Sequence, residues 1–320
     1  MALIESFMVK TAYGLGAGEA VELKAKSTES LLIKDVIVDG ENCNYCVFDI
    51  DRTTVGFFRL DKHPLKSHLP YIWNNFAGAQ MRNCAEARSS ITLISYMIEK
   101  GWMRGYPVAA GQTFAVAPYY TDESLENVII VYEKYDAGDI KSTDPCGSES
   151  KEYIFVNYGR VDDSVTGSAT KEVNVCMTAK EFPDFPIGAS VPSKTTIELL
   201  GILGTEVSSY TDESNYVYTK YLQLFKGRTC LFDRDKRGLP FLGYIGSITG
   251  GGKQYGKGFS LIGNWSTYFR KPPFVPPTPL VFNEGDEVKV FVVTEGKGSP
   301  TALSVKDLEI AFIERVKIME

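Results

Sequence analysis

Cys43 and Cys46 enclose Asn44 and Tyr45, the two-residue spacing shared by zinc ribbons and dithiol redox sites. A structural zinc needs a second ligand pair, and none follows at a suitable distance. A redox dithiol expects a helix N-terminus inside a βαβ unit, which the flanking pattern does not supply. The two cysteines therefore read as residues in or near a strand. His63 and His68, on either side of Pro64, are the only histidines. A metal-dependent β barrel needs two or three histidines and a glutamate pointing inward, so both read as surface loop residues.

Other chemical signatures fail on context. Gly14-Leu15-Gly16-Ala17-Gly18 lacks the βαβ unit that a dinucleotide fingerprint requires. The run from Gly250 to Lys253 places Gln254 where a P-loop needs Ser or Thr. No Gly-x-Ser-x-Gly elbow precedes a helix. With 40 acidic residues, neighbours such as Asp162-Asp163 arise by chance and do not mark a glycosidase dyad. Arg234-Asp235-Lys236-Arg237 is interrupted by Asp235 and reads as a solvated turn. Asn264-Trp265-Ser266 is the one N-glycosylation sequon, which matters only in a host that glycosylates this chain. The expectation is a protein that is not an enzyme, with no cofactor and no metal.

Composition narrows the class further. The chain has 320 residues, suiting about two domains. With 44% hydrophobic residues, 18 Tyr and 18 Phe, it describes a β-rich globular protein and not a disordered one. A net charge of -6 argues against sequence-specific nucleic-acid binding, which wants clustered Lys and Arg. No run approaches the ~18 apolar residues of a membrane span. Residues 1–7 lack a basic n-region, so no signal peptide and synthesis in the cytosol are expected. Six cysteines scattered over this length do not form a disulfide framework.

The elements are mostly strands. Phe7–Tyr13 and Ala20–Ala25 read as strands, the second alternating with period two. Leu31–Val38 ends at Asp39-Gly40, a hairpin signal. Tyr45–Ile50 and Thr54–Leu60 flank Asp51-Arg52 as a hairpin. Trp73, Phe76, Ala77, Gln80, Met81, Cys84 and Ala85 recur at helical spacing, predicting one short helix. Ser89–Met97 reads as strand again.

The pattern then repeats. Tyr106–Val116, with its turn at Gly111, matches Pro279–Val290, with its turn at Gly285. Glu152–Gly159 resembles Ser6–Gly14, Ser193–Leu203 resembles Ser27–Val38, and Phe259–Trp265 resembles Ser90–Tyr96. The shared order predicts two copies of one β domain: a first over residues 1–136, a linker at 137–150, and a second over 151–320. The second carries a Gly-rich insertion near 236–258. About eight strands per copy, joined by both tight turns and long connections, predict two tandem antiparallel jelly-roll sandwiches, with a short helix in the first.

On this order of segments the chain resembles the double jelly-roll major capsid proteins of tailless icosahedral viruses, the lineage that includes the adenovirus hexon. That resemblance implies a viral structural protein whose homotrimer forms a pseudo-hexagonal capsomer in an icosahedral shell. It implies self-contacts with neighbouring capsomers, with penton or minor capsid proteins and an internal membrane as further partners, and residence in the virion. Two other readings stay open: a carbohydrate- or receptor-binding β-sandwich protein displaying aromatics such as Trp102 and Trp265, and a glycanase-like tandem jelly-roll hydrolase using carboxylates.

Overall fold

The computed structural model describes residues 3–39, 43, 45–60, 92–140, 151–161, 163–175, 190–204, 208–212, 214–232, 235, 237–240, 272–299 and 309–319. These residues fall into two compact units. The first takes the described residues through Val156 together with 317–319, the second those from Asn157 through Val316.

The first eight strands are β1 (Leu3–Tyr13), β2 (Val21–Lys24), β3 (Glu29–Asp39), β4 (Tyr45–Ile50), β5 (Thr53–Arg59), β6 (Tyr106–Val108), β7 (Thr113–Pro118) and β8 (Asn127–Asp136). One helix, α1 (Leu93–Glu99), precedes β6. β1 pairs with β8, β2 with β7, β3 with β6 and β4 with β5, all antiparallel. These are the pairs of one long hairpin. The hairpin is folded over so that β3 also pairs with β8 and β4 with β7. The result is two four-stranded sheets, ordered β1-β8-β3-β6 and β2-β7-β4-β5, the strand order of a jelly roll.

Alternation explains which side of each sheet faces inward. In β7, Phe114, Val116 and Pro118 are buried while the residues between them are half-exposed. Phe48, on β4, has ring centroids 5.0 Å from Phe58, 5.6 Å from Phe114 and 5.7 Å from Tyr106. Tyr106 belongs to the opposite sheet, so these rings tie the two layers together.

The remaining strands are β9 (Lys151–Arg160), β10 (Ala169–Glu172), β11 (Asn174–Val175), β12 (Thr195–Gly204), β13 (Ser208–Asp212), β14 (Asn215–Lys226), β15 (Thr229–Cys230), β16 (Leu239–Pro240), β17 (Leu280–Phe282), β18 (Val288–Lys297) and β19 (Glu309–Ile318). Their sheets run β11-β9-β19-β12-β17 and β10-β18-β14-β13, with β15 and β16 also on β14. The hairpin logic returns: β9 beside β19, β10 with β18, β12 with β17, and β14 with β15 and β16. β11 and β13 are additions without a counterpart among the first eight strands. Leu199, Phe282 and Phe312 on one sheet, and Leu222, Leu224 and Val290 on the other, are buried.

The two copies agree residue by residue. Leu31 pairs with Val108 and Ile33 with Tyr106; Ile197 pairs with Phe282 and Leu199 with Leu280. Phe48 pairs with Val116 as Leu224 pairs with Val290. The turn after β4 places Asp51 at φ 55°, and the turn after β14 places Gly227 at φ 57°.

Two sequence expectations are corrected. Residues 93–97, read as strand, lie in α1. Thr92 caps its N-terminus by accepting from the Ser95 N–H, and Leu93, Ile94, Tyr96 and Met97 are buried at helical spacing. Asp39-Gly40 was read as a hairpin signal, yet β3 and β4 lie in different sheets and do not pair. The helix expected from Trp73 to Ala85, the residues of the linker from 141 to 150, and the insertion from 241 to 258 lie outside the described residues.

Candidate functional site

The paired cysteines sit where neither proposed chemistry has access. Cys46 is buried in β4, and Cys43 is buried just before it, its thiol donating to the Tyr45 carbonyl at 3.1 Å. Burial, reinforced by the charge of Glu123, pushes the Cys43 thiol up to about 12. Burial holds the Cys46 thiol well above its ordinary value. Metal binding and nucleophilic attack both need the thiolate, which this setting disfavours. Among the described residues no three His, Cys, Asp or Glu side chains gather as a metal-binding group.

A second cluster was not anticipated. Asp35 of β3 accepts from the Thr92 hydroxyl at 2.5 Å, the Ser95 hydroxyl at 2.7 Å and the Val36 N–H at 2.9 Å. Burial raises its carboxyl above the ordinary range, and the hydrogen bonds from Thr92, Ser95 and Val36 oppose that rise. The Tyr106 phenol, pushed up by burial first and by the Asp35 charge second, has no hydrogen-bond partner among the described residues. The evident work of the cluster is mechanical: it pins the first turn of α1 onto β3. The sequence signal was Thr92 followed three residues later by Ser95, at the head of an apolar run.

Polar and charged pairs run along β9, β19 and β12. Asn157 donates to Glu314, Arg315 pairs with Glu198 at 2.7 Å, and Lys317 pairs with Glu152 at 3.0 Å. Each joins neighbouring strands and fixes register. On the other sheet Lys226 pairs with Asp286 at 2.7 Å and Lys220 pairs with Glu295.

Of the residues singled out in the sequence, Asp163 is exposed, its carboxyl held low by the hydrogen bond and charge of Lys171 at 2.8 Å. Arg237 and Asp235 form an exposed pair at 3.7 Å. Trp102 is half-buried, its ring edge-on to Tyr96 at 5.8 Å. His63, His68, Asp162, Gly250–Gly258, Asn264 and Trp265 lie outside the described residues.

Among the described residues one surface feature stands out. Leu3, Ile4, Phe7, Val9 and Tyr13 are all exposed, and all belong to β1. Sequence alternation alone did not distinguish this strand from a covered one. Comparison with protein-family models, with curated proteins and with solved structures gives no match. No helix among the described residues is long and apolar enough to cross a membrane.

Proposed function

We propose that this chain is a major capsid protein of an icosahedral virus, assembling as a homotrimer whose six jelly rolls form a pseudo-hexagonal capsomer. One observation carries the reading: two jelly rolls in one chain share strand order and pairing register, down to Leu31–Val108 and Ile197–Phe282. Two nearly equivalent domains per chain make a threefold ring nearly sixfold. Such a ring tiles a hexagonal lattice through repeated, closed contacts. The described side chains are spent on strand register and on pinning α1, which suits a scaffold more than a catalyst. In this reading the partners are neighbouring capsomers, penton or minor capsid proteins and an internal membrane, and the chain resides in the virion.

Negative-stain imaging of purified protein, across salt and concentration, tests this. Threefold particles with a six-lobed outline, or shells built from them, are expected. A field of single particles the size of one chain under every condition overturns the proposal.

A further inference from the structure

β1 is an edge strand of 11 residues whose one strand partner among the described residues is β8. Among the described residues no strand pairs with its outer edge. Gly14 donates its N–H to the Glu126 carbonyl at 2.7 Å, and the ladder continues from Tyr13 opposite Asn127 to Val9 opposite Val131. Alternation in an antiparallel ladder then turns the N–H and C=O groups of Val9, Thr11 and Tyr13 toward the open side. Phe7 is 74% exposed and Tyr13 67% exposed, with Leu3, Ile4 and Val9 each near half. Long, bare, apolar edges are templates for association, and folded proteins usually blunt them.

In the second copy the corresponding strand is largely buried. β9 stands beside β19 as β1 stands beside β8. Its Ile154, Phe155, Val156 and Tyr158 are buried. Its outer edge carries an added strand, β11, with Asn174 opposite Arg160 and Val175 opposite Gly159. Among the described residues the first copy has no such strand on β1. One sequence pattern, duplicated, thus meets two environments.

We infer that β1 is the seat of self-association: a second copy of this chain covers its open edge and outward apolar face. The inference rests on the homotrimer proposed above and names the strand through which that assembly forms. The area is adequate. At ~150–250 Å² for each aromatic side chain and less for the aliphatic ones, the five exposed residues present on the order of 500 Å². A partner face of equal size brings the buried total to about 1,000 Å², the threshold for a specific interface. The rim is polar, as interfaces require: Lys134 bridges Glu5 at 2.9 Å and Glu29 at 3.5 Å beside the apolar stripe.

The test is the double variant Val9→Lys/Tyr13→Lys against the wild type, with Val275→Lys, an exposed apolar residue outside β1, as control. Sedimentation velocity over a concentration series reads the mass, and circular dichroism reads the fold. An assembled wild type and control beside a folded, monomeric double variant support the inference. A double variant that assembles as well as wild type overturns it while leaving the capsid reading intact. A wild type that never assembles overturns both. Hydrogen exchange on the wild type decides the matter even where the variant fails to fold. The peptide covering residues 3–13 should exchange about ten-fold or more slowly in the assembled state than in the diluted monomer. Equal rates in the two states would mean that no copy covers β1.

Discussion

Gly111 and Gly285 hold the same turn in the two jelly rolls by the same hydrogen bonds. Gly111, at φ 86°, donates to Ala25 O at 3.2 Å; Gly285, at φ 80°, donates to Val191 O at 3.0 Å. Ala25 returns a bond to Gln112 O at 2.9 Å, and Val191 returns one to Asp286 O at 3.0 Å. The side chain after each glycine closes the turn, with Gln112 accepting from the Ala109 N–H at 3.0 Å and Asp286 from the Asn283 N–H at 2.7 Å. Backbone geometry is kept while the side chains differ, as a duplicated turn with a fixed conformational requirement would be.

Both glycines sit in the left-handed region, and nothing lies within 4 Å of an added Cβ. Substitution therefore costs conformation and not space. Gly111→Ala and Gly285→Ala should each destabilise by about 1–2 kcal/mol. Urea unfolding of each variant measures this. A loss confined to one position would mean that the turns are not energetically equivalent.

Phe48 joins both sheets of the first copy through Phe58, Phe114 and Tyr106 and is fully buried. Phe48→Ala should cost about 3–5 kcal/mol, since the cavity opens between two layers that cannot close over it. Thermal and urea unfolding read the loss. A variant as stable as wild type would contradict the packing described.

The buried thiols should be inert. Native protein treated with iodoacetamide at pH 8, then digested and weighed, should show Cys43 and Cys46 unmodified, and both should label once the chain is unfolded in urea. Rapid labelling of either in the native state would contradict the raised thiol values of Cys43 and Cys46.

Asp35 gives a pH dependence of known sign. Its folded carboxyl lies above its ordinary value of 3.8, burial being the largest cause. A raised folded value contributes stability that is present below the unfolded value and is lost as pH rises through the folded one. The stability of wild type relative to Asp35→Asn should therefore grow as pH falls from 7 toward 4. Urea unfolding of both proteins at the two pH values measures the difference, and a margin that shrinks on acidification contradicts the burial argument.

Much of the architecture was legible because turns are local. Asp51-Arg52 announced the β4–β5 hairpin, and Gly111 and Gly285, each followed by a polar residue, announced matching turns before anything was known of pairing. Features set by distant partners were not legible. Asp39-Gly40 carries turn chemistry, but nothing local says that the next strand joins the other sheet. Leu93–Met97 is too short an apolar run to separate helix from strand, and its cap on Asp35 depends on a residue far away in sequence. β1 alternates Met8, Lys10 and Ala12 with Val9, Thr11 and Tyr13, and no pattern reveals that the second set lacks a cover. The chemical signatures at Cys43 and Cys46 matched a spacing only; strand burial decided their state.

The central claim is that two equivalent jelly rolls in one chain serve a threefold assembly. Sedimentation velocity of the purified chain, from low to high concentration, tests it most directly. A discrete species with the mass of three 35.5 kDa chains, present alone or as the building block of larger shells, is the predicted result. A species with the mass of one chain at every concentration and salt, with no larger particle, would contradict it.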